Sequence, residues 1–281
     1  MKLTLKKNAY GKNAINLSKI IRHPTYHEFR QISVNVSLEG DFDTAHTIGD
    51  NAKILPTDTQ KNTIYALAKE HFTDSIETFG LYVANHFINN NPPVSQVTIS
   101  IIEHPWTRMA FDGELHHHAY VGGASEKRTT TITQTADSVT VTSGLKDLLI
   151  LKTTDSGFEG YSKDQYTTLK ETPDRIFATQ CEATWTYTAQ HPDYTALFTK
   201  IRETLLKTFA HHKSLSVQQT LLAMGEAVLN ENAEVSEITL KLPNKHHILF
   251  NLEQFGMENK NEIFIATDEP YGYITGTVSR E

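Results

Sequence analysis

The chain has 281 residues and a formal net charge of −7, which suits one large domain or two smaller ones with buried cores. Its acidic balance offers no basic field to a nucleic-acid backbone, and no apolar run approaches the roughly eighteen residues of a membrane-spanning helix. A single cysteine, Cys181, excludes an internal disulfide framework and fits a reducing compartment.

In chain order, Ile15 to Arg22 reads as a strand, and Ile32, Val34, Val36 and Leu38 alternate strictly with polar residues, as in a half-buried antiparallel pair. Helical periodicity follows over Thr57 to about Phe72 and Ser75 to about Asn89. Strands are expected at Val94 to Ile102 and His116 to Val121. The second half repeats the plan: strands at Val139, Val141 and Gly144 to Thr153, helices over Tyr194 to His211 and Ser216 to Leu229, then strands at Ile238 to Leu252, Ile263 to Thr267 and Tyr273 to Val278. VSQVTISI from Val94 falls on VSEITLKL from Val235, 141 positions on, and SIETFGLYVA from Ser75 falls on SVQQTLLAMG from Ser216 at the same offset. A weaker match pairs ILPTDTQKNTIY from Ile54 with IFATQCEATWTY from Ile176, although the latter reads more like a strand. Strands, two helices, strands, twice over, describes an α+β chain whose sheets carry helices on one face. The boundary is expected in the polar TQTADS run, giving repeats at 1–135 and 136–281.

Within ILPTDTQKNTIY an apolar run ends at Pro56 and a helix opens. Thr57 is an N-cap candidate there, with Gln60 as the reciprocal half of a capping box. Free N–H groups at such a helix start also suit a flat, oxygen-rich anion.

Five blocks share their order with one known family: YGK at Tyr10 to Lys12, PTDTQKNTIYALAK from Pro56, TTLKETPDRI at Thr167 to Ile176, SVQQT at Ser216 to Thr220 and LPNKHH at Leu242 to His247. Together they resemble urate oxidase (uricase) over nearly the full chain. The resemblance implies two tandem tunnelling-fold (T-fold) domains per chain, with sheets that close into barrels in a homotetramer and active sites at subunit interfaces. Closure of that kind removes exposed sheet edges. The implied reaction is cofactor-independent oxidation of urate by molecular oxygen to 5-hydroxyisourate and hydrogen peroxide.

A flat, anionic heterocycle calls for an aromatic face and charge-assisted donors in its plane. Arg175 has a planar fork of donors, and Gln218 carries both a donor and an acceptor for an amide-like edge. The resemblance makes these two the grip on the purine, Phe158 the stacking ring, and the backbone N–H of Val217 a further donor. It also has Thr57 and Asp58 reach the ligand from a neighbouring subunit. Lys12, Thr57 and His246 form its proton relay, and Asn244 positions oxygen or water above the ring. A lysine near a partly closed pocket is able to take a proton. At the 141 offset Glu77 stands where Gln218 stands, which a solvated helix face explains equally well.

Three consecutive histidines, His116 to His118, cannot all face one ion from a strand, and His104, His211 and His212 lack ligand spacing. No metal is expected. The lack of a Gly-rich loop and of clustered cysteines argues against flavin, NAD or iron–sulfur binding. A pterin-handling T-fold enzyme or a non-catalytic purine binder are the alternatives; the former usually reads its ring with a glutamate, and the latter would not need Lys12 and Thr57. The amino terminus has no apolar signal core, and Val278 to Glu281 is not a Ser-Lys-Leu address, so a cytoplasmic location is expected. No motif surrounds Cys181, which reads as a packed thiol.

Overall fold

The computed structural model of the protein describes residues 3–188 and 192–281. These form two compact units, one of residues 3–144 with 192–195, the other of residues 145–188 with 196–281.

The first unit contains β1 (Tyr10–Arg22), β2 (His27–Gly40), α1 (Asp43–Thr47), α2 (Thr57–His71), α3 (Ile76–Asn90), β3 (Val94–His104), β4 (Thr107–Phe111), β5 (Glu114–Val121) and β6 (Lys127–Thr135). A turn closed by the Thr135 N–H on Ser138 O (2.9 Å) leads into β7 (Val139–Lys152). Strands β1, β2, β3 and β6 are adjacent in that order, each pair antiparallel, while β4 and β5 make a separate hairpin. Alternate side chains of a strand share a face. Val34, Val36 and Leu38 of β2 therefore join Val97, Ile99 and Ile101 of β3 in one core, which Ile64 and Ala68 of α2, Phe72 just after it, and Phe79, Val83 and Phe87 of α3 cover. Each of those large side chains contributes about 1.5–3 kcal/mol by leaving water.

The second unit contains most of β7, then β8 (Phe177–Tyr187), α4 (Tyr194–His211) from residue 196, α5 (Val217–Glu231), β9 (Val235–Lys241), β10 (Asn244–Lys245), β11 (His247–Leu249), β12 (Phe264–Ala266) and β13 (Thr275–Ser279). Its sheet order is β7-β8-β9-β13, with β10 paired to β8 and β11 to β12. Cys181, Ala183 and Trp185 of β8 pack with Ile201, Leu205 and Phe209 of α4 and with Met224 and Val228 of α5. Cys181 is thus a core thiol, fully buried.

The repeat at offset 141 reaches the helix caps. Ser75 and Ser216 each accept the amide three residues on, Thr78 N at 3.0 Å and Gln219 N at 3.1 Å. Asn91 and Asn232 each turn a side-chain amide back onto the preceding helix, at Phe87 O (2.9 Å) and Val228 O (2.8 Å). The weaker match fails, because ILPTDTQKNTIY opens α2 whereas IFATQCEATWTY lies on β8. The expected strand from Ile238 to Leu252 is also broken. Pro243 has no N–H to donate, so β9 stops at Lys241 and the chain re-pairs as β10, Asn244 opposite Thr179.

Candidate active site

Three of the residues singled out above lie in the first unit. Gly11 lets β1 run close against β2, since a Cβ there would stand 1.8 Å from Val36 O. Directly after Lys12 the pairing shifts between Lys12 opposite Val36 and Ile15 opposite Val34, a bulge in which Ala14 takes φ 54° and donates its N–H to Asn35 Oδ1 at 2.8 Å. Such a bulge re-aims the side chain beside it. Tyr10 Oη accepts the Leu55 N–H at 2.9 Å, tying β1 to the segment that enters α2. Further along, Lys19 Nζ donates to Ala68 O (2.8 Å) and Lys69 O (2.9 Å) at the end of that helix. β1 and α2 are thereby held at both ends, with Lys12 near the helix start.

Thr57 does not cap α2. The N-cap is Pro56, and buried Gln60 donates Nε2 to Leu55 O (3.3 Å) in place of forming a capping box. Proline fixes the entry, so Thr57 becomes the first helical residue and its half-buried hydroxyl is not used as a cap. Asp58 beside it is exposed, accepts from Lys61 Nζ (2.5 Å) and Asn62 Nδ2 (3.0 Å), and is held below the usual carboxylate range by the Lys61 bond and charge, the Asn62 bond and the charge of Lys12. The three residues therefore converge on one helix start.

The other six lie in the second unit. Between β7 and β8 the chain folds back on itself: Phe158 N–H reaches Thr172 O at 2.8 Å and Thr172 N–H reaches Phe158 O at 3.2 Å. Gly157 permits this, because a Cβ would sit 2.9 Å from Pro173 O. The fold-back sets Arg175 over Phe158, guanidinium carbon 5.2 Å from the ring centroid, while Tyr161 stacks on the same ring at 4.8 Å. Asp174 fastens the loop, accepting from Thr154 Oγ1 (2.8 Å) and Ser156 N (3.3 Å). Burial pushes its carboxyl up, but these bonds and the Arg175 and Asp155 amides outweigh that and hold it below the ordinary value.

Ser214 connects this loop to α5. Its carbonyl accepts Gly157 N–H at 2.8 Å and its N–H donates to Asp155 O at 2.9 Å, two residues before the Ser216 cap. Val217 and Gln218 are the first two residues of the helix. The cap serves Gln219, so the amides of Val217 and Gln218 are helix-start donors of the kind that receive an anion. Val217 is buried and Gln218 exposed. Asn244 and His246 are two apart on extended chain and share a face. They line one cavity of about 810 Å³ with Phe158 and Arg175, while Lys245 between them turns to Asp268 (2.8 Å).

Arg175 Nε is buried and has no hydrogen-bond partner among the described residues. Burial also pulls the guanidinium below its usual value. Arg175 is also part of the cavity wall, and a buried donor without a partner departs from the rule that such groups are satisfied.

A uricase family model matches residues 8–133 and 141–275. The chain belongs to the uricase family. Among its family relatives, the uricase of Arthrobacter globiformis is 41% identical over 280 residues, covering 100% of this chain and 91% of that protein, and the uricase of Dictyostelium discoideum is 37% identical, covering 99% and 98%. The crystal structure of the Arthrobacter globiformis uricase superposes with a TM-score of 0.95 over 100% of this chain and 96% of that one. Within the family fold, both units are α+β with helices laid on an antiparallel sheet, the tandem T-fold plan. Among the described residues no helix is long and apolar enough to cross a membrane.

Sequence reasoning missed the residues that hold the expected site residues in place. Tyr10, Asp174 and Ser214 each stand within two residues of an expected site residue or a helix cap, but their bonds join segments distant in sequence. Only the neighbouring motifs signalled them.

Proposed function

We infer that this protein is a urate oxidase, an oxidoreductase that passes two electrons from urate to molecular oxygen. The observation that carries the reading is the unpartnered Nε of Arg175 above Phe158 in a cavity shared with Asn244 and His246. A planar anion stacked on Phe158 would satisfy that donor, and its amide-like edge would meet Gln218 and the Val217 N–H.

Lys12, Thr57 and Asp58 of a neighbouring subunit supply the opposite wall in a homotetramer whose sheets close into barrels, each chain contributing repeats 1–135 and 136–281. Exposed Leu149 and Leu151 on β7 and Ile20 on β1 favour such burial. Through Lys12 the Thr57 hydroxyl gives up its proton while its oxygen takes one from urate, and His246 completes the relay. The resulting dianion gives two electrons to O2, a C5–O bond forms, and a ring hydroperoxide results. Hydroperoxide leaves with the bonding pair, water adds at C5, and a proton transfer yields 5-hydroxyisourate and H2O2. Asn244 holds oxygen or water above the ring, and no metal or organic cofactor takes part.

The test uses chelator-treated protein with urate in air. Loss of the urate ultraviolet absorbance, with equal amounts of O2 consumed and peroxide formed, is expected. Activity that requires added metal or flavin would refute the cofactor-free reading.

A further inference from the structure

The reading position at the start of α5 has a counterpart in the first unit. Glu77 is the second residue of α3 behind the Ser75 cap, as Gln218 is the second residue of α5 behind Ser216. The two positions differ in surroundings. Gln218 is exposed, whereas Glu77 has a relative exposure of 0%, so the solvated-face explanation of Glu77 fails.

The Glu77 carboxylate is filled from within its own unit. Arg128 donates Nη2 to Oε2 at 2.7 Å and Nε to Oε1 at 3.3 Å, and Ser143 Oγ donates to Oε1 at 2.6 Å. Tyr194 O accepts a further Arg128 Nη2 bond at 3.2 Å. Two parallel N–H donors on one carboxylate reproduce the way a carboxylate grips the N–C–N edge of a heterocycle. The wall for a stacked ring is missing as well. Only residues 23–26 join β1 to β2, whereas residues 153–176, with Phe158 and Arg175, join β7 to β8.

We propose that Arg128 is a built-in occupant of a disused ring-reading position, so that each chain offers one heterocycle site and not two. The comparison rests on the role of Gln218 proposed above; the occupancy of Glu77 by a guanidinium does not. Removing one member of a buried ion pair leaves the other charge uncompensated. Arg128→Ala should therefore create a vacancy that guanidinium ion fits.

Melting curves of the parent, of Arg128→Ala and of the double variant Glu77→Gln/Arg128→Ala, in millimolar guanidinium chloride against sodium chloride, test this. A saturable rise in Tm for Arg128→Ala alone is expected, because a ligand of the folded state stabilises it by mass action. No rise, or the same response in all three proteins, overturns the proposal. If Arg128→Ala does not fold unaided, recovery of soluble protein on refolding with guanidinium but not sodium supports it, and no recovery overturns it. Calorimetric titration of the parent with xanthine, a urate lacking the C8 oxygen, should give one site per chain. Two per chain would overturn the closure. No binding alongside intact guanidinium rescue would refute the urate reading and leave the occupied position standing.

Discussion

Arg175→Met separates binding from folding, because the two should move in opposite directions. The guanidinium is partly buried, and among the described residues its Nε lacks a partner. An unsatisfied buried donor costs about 1–3 kcal/mol. Methionine fills similar space without a polar atom and forfeits the contact with Phe158, worth about 0.5–1 kcal/mol at a ring distance of 5.2 Å. The net change is a gain of about 0–2 kcal/mol in stability, an unchanged or slightly raised Tm. With the grip proposed for Arg175, catalysis loses two charge-assisted bonds to urate, each worth about 1.5–3 kcal/mol, so kcat/KM should fall by about 10²–10⁴. Oxygen uptake at varied urate, beside melting curves without ligand, measures both. A Tm many degrees lower, or a kcat/KM within about threefold of the parent, would refute the assignment of Arg175 as a pre-placed and unsatisfied urate donor.

Mixing tests the proposed sharing of the site between subunits. Thr57→Ala and Arg175→Ala proteins, each inactive, should regain about a quarter of parent activity when refolded together at equal amounts, because a random closed assembly pairs an intact wall with an intact wall at one site in four; no recovery would place both walls in one chain. Lys12→Met should lower kcat by about 10²–10⁴ with KM nearly unchanged, as steady-state kinetics will report. Gly11→Ala, whose Cβ would stand 1.8 Å from Val36 O, should destabilise by about 1–3 kcal/mol or more in urea melts. Burial and the Lys152 charge, against a Gln219 bond, lower the pKa of His212 from 6.5. Its unfolded form then binds the proton more tightly, so the stability contribution is complete above pH 6.5 and is lost as pH falls below it towards the folded value; His212→Gln should flatten the dependence of Tm on pH there.

The parts legible in the sequence are those set by local periodicity. Alternation at Val34, Val36 and Leu38, and the helical spacing of Ile64, Ala68 and Phe72, follow from side-chain direction alone, and both stripes are buried. The helices expected from Ser75 and from Ser216 do begin there, each behind that serine as its cap, a bond made within one turn. Two prolines were local signals that the periodic reading passed over: Pro56 sets the entry of α2 and takes the capping role expected of Thr57, and Pro243 ends β9. The re-pairing of Asn244 with Thr179 of β8 stayed hidden because it depends on a contact across the sequence.

Glu77 and Gln218 mark the limit most sharply. Their helices share length, cap and offset, and nothing local tells a buried acid from an exposed amide. The difference arises from Arg128 and Ser143, more than fifty positions away from Glu77, and from the unequal connections between β1 and β2 and between β7 and β8. A duplicated fold can keep every local signal of a binding position while closing it with a side chain from elsewhere. Function in such a repeat therefore follows what fills the position, and that is fixed by tertiary contacts which a periodic pattern does not encode.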